Sequence, residues 1–223
     1  MGFGLRRDAI IRVMADTTTE SESTPPAASA PPGTHTVLAI VLIVGGALGL
    51  LAAFQLTMDD INLLKHPEIA LTCNVNSIVQ CGKNINSWQG SVFGFPNPIL
   101  GLMTYPAPIV VGAALLARAR FAAWFWWTFN AGMLFAIAFV FWLAFESIFD
   151  IGTLCPWCSL VYFVTIPMFL GVTVRNLRAG IGGRALKRVG DVLAPWIVLL
   201  AVLGYLIIFG AAQLHLNVLG TFF

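Results

Sequence analysis

The chain has 223 residues, of which 58% are hydrophobic and only 10% are charged. In soluble domains about a quarter of the residues are charged, so this composition excludes an ordinary soluble domain and predicts an integral membrane protein. The formal net charge of +2 is too small to indicate a nucleic-acid partner.

Five apolar stretches are long enough to cross a bilayer, for which a helix needs about 20 residues. They cover residues 36–57, 98–117, 121–145, 156–174 and 195–214. No stretch alternates apolar and polar residues as a barrel strand does, so helices must satisfy the backbone in lipid. Short connections after the second and third spans force antiparallel neighbours. We therefore predict an all-α membrane protein, a four-transmembrane-helix bundle with an additional peripheral fifth transmembrane helix.

Composition also divides the chain into parts. Residues 16–34 are rich in Thr, Ser, Glu, Ala and Pro and cannot bury a core. The segment after the fourth span combines glycines with basic residues. We predict a disordered cytoplasmic tail at 1–35, the four-helix bundle at 36–176 with an extracytoplasmic loop at 58–97, a basic cytoplasmic linker at 177–194, and the fifth helix with a short extracytoplasmic C-terminus at 195–223.

The distribution of Lys and Arg predicts the orientation, because cytoplasmic flanks retain these residues. With the N-terminus in the cytoplasm, only Lys65 and Lys83 of the 12 basic residues fall on the opposite side. This predicts a multi-pass protein of the inner or plasma membrane. All four cysteines then face the oxidising, extracytoplasmic compartment.

One pair of cysteines, Cys155 and Cys158, opens the fourth predicted span. In a helix that begins near Pro156 they lie on one face, close enough for a disulfide. Pro suits the first helical position, and the helix N-terminus lowers the pKa of a neighbouring thiol. A disulfide that closes so short a loop removes little chain entropy. The pattern therefore favours a redox-active pair over a structural disulfide or two buried thiols.

The other pair, Cys73 and Cys81, lies in the long loop after the first span. In a continuous helix the two would be about 12 Å apart along the axis, so a disulfide requires the segment to turn back. Asn and Gly residues nearby supply turn chemistry. Taken alone, the pair fits a loop-stapling disulfide as well as a redox shuttle. Its place on the same side as Cys155 and Cys158 favours the shuttle.

Zinc is the rival explanation for four cysteines, since a Cys-x2-Cys half-site is familiar. The other half has Cys-x7-Cys spacing, and His66 is the only histidine in the loop. We therefore predict no metal site. Glu146 and Asp150 have no partner that indicates general acid catalysis, and we interpret both as solvated residues at a helix end.

Electrons from thiols at a membrane need a lipid-soluble acceptor, for which a quinone is the natural choice. Tyr162 lies one turn after Cys158 on the same helix face. Asn97 lies at the head of the second span, where an amide without a partner would be costly in lipid. Each could donate a hydrogen bond to a quinone carbonyl and stabilise developing negative charge. The alternative for each is a hydrogen bond between helices.

Together these residues form a specific pattern. It reads Cys73-x7-Cys81, then Ser87, then Phe93-Gly94-x-Pro96-Asn97 at the second span, then Cys155-x-x-Cys158-x3-Tyr162 at the fourth. In order and spacing it resembles the bacterial vitamin K epoxide reductase (VKOR) family over about residues 36–176.

The resemblance implies a relay. A reduced thioredoxin-fold partner would attack the Cys73–Cys81 disulfide, Cys81 would then attack Cys155, and Cys158 would be released beside the quinone. It implies Asn97 and Tyr162 as the quinone-binding pair, with menaquinone or ubiquinone as the acceptor. Pro98 departs from the pattern by following Asn97 directly, and it could change the direction of the amide.

The expected activity is thus a quinone-reducing thiol oxidoreductase that sustains disulfide-bond formation. Many bacterial relatives continue into a fused thioredoxin-like domain after the fifth span. Because this chain has no such segment, we expect a separate DsbA-type protein as electron donor. The alternative is a non-enzymatic membrane transporter or scaffold whose disulfides are structural.

Overall fold

The computed structural model describes residues 32–180 and 182–221, with side chains of the first helix from Thr36 onward. Residues 1–31 of the predicted tail lie outside this part of the chain. The helices are α1 (Pro32–Lys65), α2 (Gly82–Ile85), α3 (Asn97–Thr104), α4 (Pro106–Leu116), α5 (Ala123–Glu146), α6 (Pro156–Arg178), α7 (Arg184–Leu193) and α8 (Ile197–Leu216). A π-helical turn, Ser147–Ile151, extends α5, and a 3-10 turn, Trp88–Ser91, follows α2.

Within the described residues, five helical stretches are long and apolar enough to cross a membrane. They are Thr36–Lys65, Asn97–Leu116, Ala123–Ile151, Pro156–Arg178 and Arg184–Leu216. The prediction of an all-α membrane protein with five spans is confirmed. The first four spans form a bundle in which α1 and α6 make the most extensive contacts, and the two share a buried core with α4 and α5.

The second span is broken at Tyr105, where α3 ends and Pro106 begins α4. Pro106 has no backbone N–H to donate to a carbonyl of the preceding turn, so the helix hydrogen bonds are interrupted at this point. The ring of Tyr105 lies against Gly49 of α1, and a Cβ at Gly49 would overlap that ring. Its hydroxyl forms a 3.0 Å hydrogen bond with Oγ1 of Thr165 in α6. Small residues thus allow close packing of helices, as in membrane proteins generally.

Helix α1 continues past the predicted end of its span at Thr57 to Lys65. Hydropathy ends a span at the first charged residues, here Asp59 and Asp60. The helix nevertheless continues because its end is packed: Leu63 lies against a buried cluster of Leu56, Leu71 and three of the cysteines. The extension carries Asp59 into the protein interior, where its side chain is buried.

The predicted basic linker contains a helix, α7, which folds back on the end of α6. Gly190 permits this approach, because a Cβ there would meet the backbone of Arg178 and the side chain of Leu177. The ion pair between Arg178 and Asp191 spans 3.2 Å but is solvent-exposed, so it contributes little stability.

The fifth span lies on the outside of α6. The Tyr205 hydroxyl donates a 2.8 Å hydrogen bond to the Phe163 carbonyl, and Gly204 makes room for Ile166. At the C-terminal end of this span, the ring of His215 lies tilted against Phe149 of the π turn, with ring centroids 4.9 Å apart. The fifth helix is therefore attached to the four-helix bundle as a peripheral element, as predicted.

Candidate redox site

The loop after α1 turns back on itself and closes with a disulfide between Cys73 and Cys81. Their Cα atoms are 5.8 Å apart, which suits a disulfide. Side-chain amides hold the turn: Asn74 Oδ1 accepts hydrogen bonds from the backbone N–H groups of Cys81 and Gly82 at 3.0 and 3.2 Å. Asn76 Oδ1 accepts two more from the next turn. The residues that stabilise the predicted turn are thus asparagines, whose side-chain oxygens accept hydrogen bonds from the loop backbone.

Cys155 and Cys158 are free thiols at the start of α6. Cys155 is the residue before the first helical residue, Pro156, and its sulfur accepts the backbone N–H of Cys158 at 3.4 Å. Hydrogen bonding from the Cys158 side chain and from the N–H groups of Cys158 and Trp157 lowers the pKa of Cys155, although burial opposes this effect. These donors stabilise a thiolate at Cys155, which makes it a good leaving group in disulfide exchange.

The two cysteine pairs meet inside the protein. The Cys81 and Cys155 sulfurs are 3.3 Å apart, and these two side chains are 0% and 1% exposed. A short parallel bridge fixes the approach, because Leu154 donates to the Ile78 carbonyl at 2.9 Å and accepts from Gln80 at 3.2 Å. The Cys81 and Cys155 sulfurs are therefore in direct contact, the arrangement from which thiol–disulfide exchange starts.

A second contact between the same two segments comes from Asn84, three residues after Cys81. Its Nδ2 donates to Thr153 Oγ1 at 3.0 Å, and its Oδ1 accepts from Ser147 Oγ at 3.0 Å. Ser147 also donates to the Thr153 carbonyl at 2.6 Å. Asn84 thus ties the loop that carries Cys81 to the segment that precedes Cys155.

We expect Asn84→Ala to loosen this junction. The buried Thr153 hydroxyl loses its donor and the buried Ser147 hydroxyl loses one of its two acceptors, which should lower the free energy of unfolding by about 1–3 kcal/mol. Misplacing the reacting sulfurs should slow exchange between Cys81 and Cys155 by about tenfold. Acid-quenched thiol mapping and thermal unfolding in detergent measure the two effects. Lys83→Ala, at an exposed neighbouring position, is the matched control, and equal exchange rates in both variants would contradict the role of Asn84.

Beside the free thiols lies a cavity of about 840 Å³ between α1, the second span, α5 and α6. Its wall is largely apolar and aromatic. Among its lining residues are Phe129, Phe139, Tyr162, Asn97, Cys155 and Cys158. The structure therefore brings both predicted quinone-binding residues to the cavity that the thiols line.

Asn97 begins α3, with Pro98 as the next residue of the helix. Its Nδ2 donates to the Gln89 carbonyl at 2.6 Å, while its Oδ1 is buried and has no hydrogen-bond partner among the described residues. The amide is therefore held by the loop rather than by another helix. A buried polar atom without a partner is costly, so a ligand that donates a hydrogen bond would be favoured there.

Tyr162 is 2% exposed and packs in the core cluster that includes Ile166 and Ile208. Its hydroxyl forms no hydrogen bond with other described residues and belongs to the cavity wall. The cavity thus combines an apolar interior with a few polar groups, which is typical of small-molecule sites. An aromatic quinone head group fits this chemistry.

Gln89 supports Asn97 from the loop. It is buried, and its Nε2 donates to Glu146 Oε2 at 3.1 Å and also to Asp150 Oδ2. The sequence shows no partner for Glu146 or Asp150, whereas in the structure Gln89 is the hydrogen-bond donor to both. Ser87, part of the family pattern, accepts the N–H of Gly90 and so caps the 3-10 turn that contains Gln89.

Asp59, whose Oδ2 lies 3.5 Å from the Cys73 sulfur, is not among the residues predicted from the sequence. Adjacent acids at the end of an apolar span were the available signal, because charged groups there are rare without a function. Asp59, Cys73 and Cys81 place a carboxylate oxygen and two sulfurs within 4.8 Å of one another. The sulfurs are bonded as a disulfide, which leaves no thiolate there to bind a metal ion.

Five membrane-length apolar helices among the described residues, with a disulfide in contact with a free thiol, define a multi-pass membrane protein with a candidate site for thiol–disulfide exchange. The model of the vitamin K epoxide reductase family matches residues 40–173, and the chain therefore belongs to this family. Its members are oxidoreductases that use quinone as electron partner and generally act with thioredoxin-like proteins. None of the curated proteins compared matches the chain.

Proposed function

We propose that the protein is a quinone-reducing thiol oxidoreductase that reoxidises a separate, DsbA-type thioredoxin-fold protein. The observation that carries this proposal is the 3.3 Å separation between a sulfur of the Cys73–Cys81 disulfide and the free thiol of Cys155, which lines the apolar cavity. A disulfide that only stapled the loop would not require a dithiol in contact with it.

The direction of the relay follows from the burial of the two loop sulfurs. Cys73 is 6% exposed, whereas Cys81 is fully buried against Cys155. A protein partner therefore attacks Cys73, and the partner's sulfur bonds to Cys73 as Cys81 leaves as a thiolate. Cys81 then attacks Cys155 of an oxidised Cys155–Cys158 pair and releases the Cys158 thiolate.

The cycle then closes in two steps. The partner's second thiol attacks its own mixed disulfide, which releases the oxidised partner and the Cys73 thiol. Cys73 attacks Cys81 and releases Cys155, which restores the loop disulfide and leaves Cys155 and Cys158 as a dithiol. In sum the partner loses two electrons and two protons, and the dithiol of α6 gains them. This end point is the state that the structure describes.

The residues around the cavity suit a quinone as acceptor. Reoxidation of Cys155 and Cys158 to the disulfide would pass two electrons and two protons to a quinone held in the cavity, which would leave as a quinol. Phe129 and Phe139 would exclude water, and Cys158 would face the head group. Asn97 would donate its second Nδ2–H, and Tyr162 its hydroxyl, to a quinone carbonyl, while the buried Asn97 Oδ1 would accept a hydrogen bond from a quinol hydroxyl. Menaquinone and ubiquinone share the chemistry that these groups recognise.

The membrane orientation belongs to the same proposal. The excess of Lys and Arg on one side supports a cytoplasmic N-terminus, with the cysteines outside the cytoplasm in the inner or plasma membrane. Exported proteins acquire disulfides in that compartment, so a DsbA-type partner would meet Cys73 there.

The test uses the purified full-length protein in detergent or vesicles with a reduced DsbA-type protein and a soluble ubiquinone or menaquinone analogue. We expect catalytic formation of partner disulfide and quinol in equal amounts. Without quinone, oxidation of the partner should stop after the first turnover. Quinone absorbance and thiol labelling measure the two products. A scaffold with structural disulfides would oxidise no partner, and that result would refute the proposal.

A further inference from the structure

Asp59 is a buried carboxylate in contact with the reactive disulfide. It lies in the part of α1 beyond the predicted span, is 5% exposed, and places Oδ2 3.5 Å from the Cys73 sulfur. Among the described residues the single ion pair joins Arg178 and Asp191, so no cation neutralises Asp59. A buried carboxylate without a cation is unfavourable unless it holds a proton or accepts a hydrogen bond.

The groups of the redox site that lie near Asp59 in the described residues are cysteines. Cys73 and Cys81 lie on the loop packed against the end of α1, and Cys155 comes from the start of α6. Asp60 is the next residue of α1 and belongs to the cavity wall instead. The carboxylate of Asp59 therefore faces the sulfur atoms that exchange bonds.

We propose that Asp59 is the catalytic proton acceptor for Cys73, an inference that rests on the proposed relay. After the partner has left, Cys73 is a thiol that must lose its proton to attack Cys81. Asp59 takes this proton as the Cys73–Cys81 bond forms and the Cys81–Cys155 bond breaks. The electron pair of the broken bond leaves on Cys155, so no external oxidant or reductant is needed. Asp59 then returns the proton to solvent when the next partner opens the loop.

Two features of the site favour this role over a structural one. Asp59 contacts Cys73, which must be regenerated as a nucleophile, rather than the backbone of the loop. Cys155, the leaving group, is already stabilised by N–H donors at the start of α6. The site therefore provides stabilisation for the thiolate that leaves and a base for the thiol that attacks.

The first experiment is independent of quinone and partner. Cys81, Cys155 and Cys158 are replaced by Ser in the full-length protein, and alkylation of Cys73 by iodoacetamide is followed against pH. An ionised carboxylate beside a thiol disfavours the thiolate, so Asp59→Asn should move the alkylation midpoint to lower pH. Glu68→Gln, an exposed acid near the same loop, should leave the midpoint unchanged. Identical profiles with and without Asp59 would overturn the proposal.

The second experiment measures turnover with partner and quinone. Asp59→Asn should slow it by about a hundredfold at neutral pH, the lower end of what general-base catalysis contributes. The acid limb of the wild-type pH profile should disappear with it, whereas Asp59→Glu should retain the limb and part of the rate. An unchanged limb in Asp59→Asn contradicts the assignment. Failure of the wild-type protein to turn over would instead refute the relay. The alkylation experiment would still test the effect of Asp59 on Cys73, because it needs neither partner nor quinone.

Discussion

Cys158→Ser should abolish quinone reduction. In this variant Cys155 has no neighbouring thiol with which to form a disulfide, so no dithiol lines the cavity to reduce a quinone. The Cys155 sulfur, 3.3 Å from that of Cys81, can only exchange with the loop disulfide, and Cys73 reverses this exchange by attacking Cys81. Quinol formation should fall to the uncatalysed rate. Quinone absorbance gives the rate, and peptide mapping under non-reducing conditions should find the loop disulfide between Cys73 and Cys81.

Ser159→Ala provides the matched control for Cys158→Ser. The Ser159 hydroxyl is one residue further along α6 and donates only to the Cys155 carbonyl, at 3.0 Å. Its removal should leave quinone reduction near the wild-type rate. Quinone turnover that persists in Cys158→Ser would show that Cys158 does not deliver the electrons, and the order of the relay would be wrong.

The fold was predictable because a bilayer imposes simple rules. Length and apolarity predict the five spans, and the lack of barrel-strand alternation predicts their helical character, since only helices and closed barrels satisfy the backbone in lipid. The break of the second span at Tyr105 falls before Pro106, which cannot continue the helix hydrogen bonds. The continuation of α1 to Lys65 was not predicted, because it depends on packing of Leu63 against the cluster that contains the cysteines. Such packing is a property of tertiary contacts that a hydropathy window cannot contain.

Site residues that are recognised by their spacing in the sequence could be predicted. Site residues that are brought together only by tertiary packing could not. The Cys155-x-x-Cys158 spacing and the family pattern indicated a redox pair at a helix start, and the family membership is confirmed. The contacts of Asn84 with Thr153 and of Gln89 with Glu146 join residues more than fifty positions apart. Asn and Gln in a polar loop give no signal of such partners. The roles of Asn97 and Tyr162 remain predictions, although both lie at one cavity with Cys158.

Cys155→Ser should oxidise one equivalent of reduced partner and then stop, whatever the quinone concentration. The loop disulfide is intact in this variant, and Cys73 is the less buried of its two residues. Its reduction uses one partner dithiol. Cys81 then has no acceptor, because the sulfur 3.3 Å away is gone. The reduced loop cannot be reoxidised, and the reaction ends at a burst.

The amplitude of this burst distinguishes the relay from direct attack on α6. Cys73→Ser should show no burst, because the loop then has no disulfide to donate. Rapid acid quenching followed by thiol labelling of the partner gives the amplitude in each variant. Continued partner oxidation in Cys155→Ser would mean that electrons reach the cavity without passing through Cys155. The 1% exposure of the Cys155 side chain favours entry through the loop disulfide over direct attack of a partner on Cys155.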